Sequence, residues 1–187
     1  MAKTKKSPNT TTKNTADNPK AINGWKLSKQ YKLLLGCLFV LFSIALLISF
    51  ISFFVYGQAD QSAVNSLTDR TETVKNWLGK FGAYLSNLFI YKGFGAASFI
   101  FVKLFFLSGA FLILDISLKK LKNLWFWDLF VMIIISILFG FFANSLPELG
   151  GTIGYEMNLI LQDFIGKTGT FLLLTFGIII YLIFKIK

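Results

Sequence analysis

The sequence predicts an all-α integral membrane protein with four transmembrane helices in two hairpins, each hairpin with an outer amphipathic helix. Three observations support this prediction. Hydrophobic residues make up 55% of the 187 residues and charged residues only 15%, and the mean hydropathy is +0.64, which is too apolar for a soluble domain of this size. Four apolar runs are long enough to cross a bilayer. The order of the segments around them repeats once along the chain.

Residues 1–30 are predicted to form a disordered basic cytoplasmic tail. Lys, Thr, Asn, Ser and Pro dominate this stretch, and such a composition offers almost nothing to bury. Residues 1–32 contain eight Lys and one Asp, so most of the net charge of +10 lies at this end. Lysines in this position orient a membrane protein. Contact of the tail with DNA or with anionic lipid headgroups is the alternative.

A four-helix transmembrane domain is predicted over residues 31–187, and its first hairpin contains the spans 33–55 and 94–114. The first span has 23 residues without a charge, enough to cross a hydrocarbon core of about 30 Å. Between the two spans, Asp69 followed by Glu72 is typical of a helix start. An outer amphipathic helix should follow, with one apolar face formed by Val74, Trp77, Leu78, Phe81, Leu85, Leu88 and Phe89.

The second hairpin is predicted to contain the spans 127–144 and 169–184. A short connection, 115–128, precedes it and ends in an aromatic cluster that is typical of a membrane interface. Between the two spans, apolar residues again recur at helical spacing: Ile153, Met157, Ile160, Leu161 and Phe164. This segment is predicted to be an amphipathic helix lying along the membrane surface.

Glycines mark both outer segments. Gly82 and Gly93 are 11 residues apart, and Gly154 and Gly166 are 12 apart, so the two halves form a weak internal repeat. Glycine permits sharp turns and close backbone approach that other residues resist. The predicted structural hinges are Gly82, Gly93, Gly95, Gly151, Gly154, Gly166 and Gly169.

The distribution of Lys and Arg predicts the orientation. The connection 115–128 has three Lys and the C-terminal end has two, in addition to the eight in the tail. The outer loop 145–168 has one Lys and three acids, and the loop 57–92 has four basic residues and three acids. The positive-inside rule therefore places both termini in the cytoplasm and both amphipathic helices outside.

The composition excludes most catalytic classes. The chain has no His and one Cys, so a His-based triad, a His-containing metal site and an intrachain disulfide are impossible. Cys37 lies in an apolar run and is expected to be buried. Gly166-Lys-Thr168 matches the end of a phosphate-binding loop. That motif also requires a glycine five residues before Gly166, and the residue there is Leu161. We predict no catalytic residue, no metal site and no cofactor.

Lys103 is the one charge well inside a predicted span, 11 residues after Lys92 and 12 before Asp115. Placing an ammonium group at the bilayer centre costs about 2.5–3.5 kcal/mol, so Lys103 should face protein or water rather than lipid. We take it as the candidate intramembrane polar contact, between helices or between subunits. No acid within another span is expected to pair with it, and an ion path is the alternative role.

Two glycine-containing patterns support a resemblance to a known family: Gly79-Lys-Phe-Gly82-Ala-Tyr-Leu-Ser, and Gly150-Gly-Thr-Ile-Gly154 with Gly166-Lys-Thr-Gly169-Thr. Together with the four spans, they make residues 32–184 resemble the N-terminal membrane domain of the FtsK/SpoIIIE septal DNA translocases. The resemblance implies a multi-pass anchor in the bacterial cytoplasmic (inner) membrane at the division septum. It also implies a homo-oligomer, a hexamer in this family, that contacts division-septum proteins.

The main hypothesis is therefore a non-catalytic membrane anchor and oligomerisation domain of a translocase that acts in cell division and chromosome segregation. DNA would be reached only through a motor domain, whose Walker motifs are not found in this sequence. The alternative is a small four-span transporter or channel component with Lys103 near its pathway. A membrane enzyme is favoured least, because no span carries paired acids, His or a nucleophile with a base.

Overall fold

The computed structural model describes residues 28–64 and 73–186, and every regular element in these two ranges is a helix. The α-helices are α1 (Lys29–Val64), α2 (Gly79–Ser86), α3 (Phe99–Ile113), α4 (Leu118–Phe139) and α5 (Pro147–Ile186). Four stretches are long and apolar enough to cross a membrane: Lys29–Gly57, Gly79–Ile113, Lys119–Phe142 and Pro147–Lys185. The predicted all-α, four-span fold class is thus confirmed. Most of the predicted tail, and the helix start at Asp69, lie outside the described residues.

α1 and α3 run antiparallel and pack closely at two glycines. A Cβ placed on Gly36 would lie 2.9 Å from the Gly109 carbonyl oxygen, and a Cβ on Gly109 would lie 2.6 Å from that of Gly36. Farther along, the Ser43 hydroxyl donates a hydrogen bond to the Val102 carbonyl at 2.8 Å. Such small residues let two backbones approach within a membrane. Cys37 is exposed rather than buried, because the position after Gly36 is rotated by about 100° away from α3.

The segment Gly79–Phe94, which we call the first outer segment, lies between α1 and α3. It begins as α2, continues as a π-helical stretch over Asn87–Phe94, and leaves helical geometry at Gly93 (φ −92°, ψ −124°). A short 3₁₀ turn, Gly95–Ser98, leads into α3. The first outer segment packs on α1 through the core residues Leu46, Phe50, Phe53, Leu85 and Ile90.

The prediction that residues 74–78 belong to this outer helix is wrong, because they are not helical and α2 begins at Gly79. The backbone N–H groups of Lys75 and Asn76 instead donate hydrogen bonds to the Asp60 carboxylate on α1, at 2.7 and 2.8 Å. A charged acceptor thus satisfies two backbone donors that would otherwise bond within a helix. The tertiary contact overrides the amphipathic pattern.

α5 has two interruptions, at Gly151 (φ 64°, ψ 176°) and Gly166 (φ 71°, ψ 168°). They divide the helix into three parts. A short beginning, 147–150, is followed by residues 152–165, which we call the second outer segment, and by an apolar part, 167–186. Positive φ is the left-handed region that glycine adopts without a steric penalty. The chain therefore changes direction twice within what is otherwise a continuous helix.

The second outer segment packs on α4 through its polar side. A Cβ on Gly154 would overlap the Ser136 carbonyl oxygen, and the Asn158 side chain donates a hydrogen bond to the Ile137 carbonyl at 2.9 Å. Its apolar side is exposed on the protein surface, as the side chains Ile153, Met157, Ile160 and Phe164 show. The apolar stripe is thus free to face lipid, while its placement on the membrane surface stays a prediction.

Small polar side chains line the interior of the bundle. The buried Ser49 hydroxyl donates to the Gly82 carbonyl at 2.6 Å, and the buried Ser136 hydroxyl donates to the Gly150 carbonyl at 2.9 Å. Because a bilayer offers no water to replace these partners, hydroxyl groups bond to backbone carbonyls inside the protein. Each of the two bonds joins a span to the outer segment of the same half or to the turn that precedes it.

Candidate functional site

Three charged side chains from three helices meet in the bundle and form what we call the ionic cluster: Lys103 of α3, Asp128 of α4 and Lys185 of α5. The Lys185 ammonium donates a hydrogen bond to Asp128 Oδ1 at 3.0 Å, and the Lys103 Nζ lies 2.8 Å from Oδ2. The Asp128 side chain is 0% exposed, against 49% for Lys103 and 25% for Lys185. A fully buried carboxylate needs such partners, so Asp128 is the centre of the cluster.

The expectation that no acid within another span pairs with Lys103 is wrong. The sequence pattern places Asp128 at the boundary between a polar connection and a span. In the structure α4 begins at Leu118, so Asp128 lies about three turns inside the helix. Antiparallel packing of α3 on α4 then brings it to Lys103, in a register that the hydrogen bond from Trp125 Nε1 to Ser108 Oγ (2.9 Å) also holds.

Aromatic rings surround the Lys185 end of the ionic cluster. The Trp127 ring stacks on that of Phe184, with centroids 5.6 Å apart and an interplanar angle of 12°. The Lys185 ammonium lies 6.0 Å from the centroid of the Tyr181 ring. Stacking and cation–π attraction add to the ion pair, so several contacts fix the end of α5 to α4.

A second ion pair lies where the first hairpin ends. The Lys32 ammonium of α1 contacts the Asp115 carboxylate, in the connection from α3 to α4, at 2.5 Å. This hydrogen bond and the charge of Lys32 hold the pKa of Asp115 below its ordinary value of 3.8. The start of α1 and the connection after α3 therefore lie at the same end of the bundle.

Four of the predicted hinge glycines interrupt the helical backbone: Gly93, Gly95, Gly151 and Gly166. The structure places the other three, Gly82, Gly154 and Gly169, within regular helix. Gly79 (φ 63°), which the hinge prediction omits, begins the first outer segment as Gly151 (φ 64°) precedes the second. The signal was available, because Gly79 precedes Gly82 by the same three residues as Gly151 precedes Gly154.

The interruptions of the two halves pack against each other. A Cβ on Gly95 would overlap the Leu149 carbonyl oxygen, and a Cβ on Gly151 would lie 2.5 Å from the backbone nitrogen of Gly95. Beside this contact, the Thr152 hydroxyl donates a hydrogen bond to the Tyr91 carbonyl at 3.0 Å. The two outer segments therefore form one joint at the same end of the bundle.

Asp60 and Asn76 form a buried polar clamp that sequence reasoning missed. Asp60 accepts hydrogen bonds from two backbone N–H groups, those of Lys75 and Asn76. In addition, the Asn76 side chain donates a hydrogen bond to the Ser49 carbonyl at 3.1 Å. Both side chains are almost fully buried. Nothing in the spacing of a polar loop indicates this pairing, because it joins residues 16 positions apart across two elements.

The clusters suit structural and electrostatic roles. Within residues 28–64 and 73–186, no three His, Cys, Asp or Glu side chains lie close enough together to hold a metal ion. The groups that do converge are one carboxylate and two ammonium groups, which form ion pairs and bind anions.

Comparison with known proteins agrees with the architecture. The family described as the 4TM region of DNA translocase FtsK/SpoIIIE matches residues 28–187. Searches of curated proteins and of solved structures found no matching protein. The match covers all four spans and both outer segments. The chain therefore belongs to the FtsK/SpoIIIE family, and residues 28–187 are its four-span membrane region.

Proposed function

We propose that this chain anchors a septal DNA translocase in the inner membrane and assembles its subunits into a homo-oligomer. The observation that carries the proposal is the match of residues 28–187 to the membrane region of a translocase family, on a chain with four helices able to span a bilayer. A DNA pump that works against load needs a fixed base in the membrane. The anchor itself carries out no reaction, and DNA is contacted through a motor domain.

Both termini are proposed to lie in the cytoplasm. Lys32 at the start of α1 is paired with Asp115 in the middle connection, so these two segments share one end of the bundle. Lys185 near the end of α5 contacts Asp128 of α4. This contact and the Lys32–Asp115 pair lie on the same side of the joint between the outer segments. Lysines concentrated at this end are typical of the cytoplasmic side.

The anchoring role is supported by how α5 ends. Lys185 is held by the buried Asp128, and Phe184 is stacked on Trp127. A pulling force on the end of α5 would therefore pass through these contacts into α4, and through Lys103 into α3. The oligomeric state, a hexamer by family resemblance, and contacts with division-septum proteins are part of the same proposal.

Localisation and mass test this function. A fluorescent fusion of the chain should form a band at the division septum, whereas a fusion of residues 1–64, with the tail and first span alone, should spread around the cell envelope. The purified chain in detergent should run as an oligomer. An even envelope signal from the full chain would contradict the septal role, and a monomer at all concentrations would contradict assembly.

Topology is tested separately by cysteine labelling. With Cys37 replaced, single cysteines at Ser62 and Thr152 should react with an impermeant reagent from outside the membrane. Labelling of either position only from the cytoplasm would contradict the proposed orientation.

The transporter alternative gains no specific support. Lys103, the residue that suggested a pathway, is paired with Asp128. A proteoliposome flux that is abolished by Lys103→Gln would revive it.

A further inference from the structure

We propose that the two lysines of the ionic cluster, Lys103 and Lys185, bind the phosphate of an anionic phospholipid at the membrane boundary. The inference concerns a ligand site and stands independently of the proposed septal role. It rests on the charge, the position and the exposure of the cluster.

The cluster carries an uncompensated positive charge. Two ammonium groups meet the single carboxylate of Asp128, at 2.8 Å and 3.0 Å. Each ammonium has three N–H donors, so one contact with a carboxylate oxygen leaves donors for a second anion. Both lysines approach the same carboxylate, one at each oxygen, so a single anionic group beside Asp128 is the ligand that both could share.

The Lys185 end of the cluster lies where lipid headgroups are expected. Lys185 follows the apolar run of α5, and the run of α4 begins beside Trp125 and Trp127, a pair typical of the aromatic belt at a membrane interface. Lys103 comes from the middle of α3, and its ammonium joins the cluster through the contact with Asp128 Oδ2 at 2.8 Å. Long lysine side chains extend from such positions toward the lipid phosphates.

The exposure of the three side chains favours an external ligand. Asp128 is fully buried, whereas about half of the Lys103 side chain is exposed on the protein surface. On such a surface inside a membrane, an unpaired charge is unfavourable. A lipid phosphate would neutralise the excess charge, as in basic pockets between transmembrane helices that bind anionic headgroups.

The test measures lipid retention by the full chain. Native mass spectrometry of the purified protein, supplied with phosphatidylglycerol or phosphatidylcholine, should show preferential retention of phosphatidylglycerol. Lys103→Gln leaves the Lys185–Asp128 pair in place and should weaken that retention roughly fivefold, because one of the two ammonium groups proposed to contact the phosphate is lost. Lys120→Gln removes an exposed lysine at the start of α4, outside the cluster, and should leave retention unchanged.

Further arms keep the proposal falsifiable. Lys185→Gln should reproduce the loss through the other lysine, and Lys103→Arg, which keeps the charge, should retain the lipid. Should Lys103→Gln fail to fold, the comparison of Lys185→Gln with Lys120→Gln decides.

Equal retention by the cluster variants and Lys120→Gln would overturn the site. If the wild type retained inorganic phosphate as strongly as it retains phosphatidylglycerol, the assignment of the ligand to a phospholipid would be overturned. A change in oligomer mass without a change in lipid retention would assign Lys103 to a subunit contact instead.

Discussion

Gly151 of α5 lies against the backbone of Gly95, so that a Cβ on Gly151 would stand 2.5 Å from the Gly95 nitrogen. This contact joins the interruptions of the two halves of the protein. Gly151 also has a positive φ of 64°, a conformation that side chains disfavour. Both the backbone conformation and the lack of space therefore require glycine here.

We expect Gly151→Ala to destabilise the protein more than Gly166→Ala. Both positions have positive φ, which costs a non-glycine residue about 1–2 kcal/mol. A Cβ on Gly166 meets nothing within 4 Å, whereas one on Gly151 overlaps the backbone of the first half. Thermal unfolding in detergent compares the two variants. Equal losses of stability would contradict the packed joint.

Asp128→Asn should destabilise the bundle, because it leaves Lys103 and Lys185 without a carboxylate. Breaking a buried ion pair costs about 3–5 kcal/mol, and the partial exposure of both lysines reduces the expected loss to roughly 2 kcal/mol. The triple variant Lys103→Gln, Asp128→Asn, Lys185→Gln should recover at least half of it. Denaturant unfolding in mixed micelles measures both. No recovery in the triple variant would show that charge is not the cause.

Asp60→Ala should release the turn that precedes α2, because the backbone N–H groups of Lys75 and Asn76 lose their acceptor. A hydrogen bond to a charged group contributes about 1.5–3 kcal/mol, so local opening should become at least tenfold more frequent. Hydrogen exchange at these two amides measures it. Asp163→Asn, which removes an exposed acid of the second outer segment, is the control. Unchanged exchange in Asp60→Ala would contradict the clamp.

The Lys32–Asp115 pair predicts a pH effect of defined sign. Lys32 lowers the pKa of Asp115 in the folded protein, so the contribution of this pair to stability is complete above about pH 3.8, the ordinary pKa. It is lost as pH falls through the lower folded-state pKa. In Lys32→Gln, NMR titration should show the Asp115 pKa moved upward. Titration identical to the wild type would contradict the contact.

Much of the fold follows from local patterns. Hydropathy alone located four spans, and glycine spacing located the interruptions at Gly93–Gly95, Gly151 and Gly166, because a missing Cβ acts on its own residue. The same reasoning placed the start of the first outer helix too early. The apolar period continues through residues 74–78, but Asp60 supplies better partners for those backbone donors than another helical turn would.

The sequence by itself determined that this is a four-span membrane protein built from two similar halves, and that Lys103 needs a polar partner. Only the tertiary structure decided that the partner is Asp128, shared with Lys185, and that Gly151 meets Gly95. The physical reason is that helix formation and membrane insertion depend on residues near in the chain. The meeting of side chains from different helices depends on the rotation and register of each helix, which packing sets.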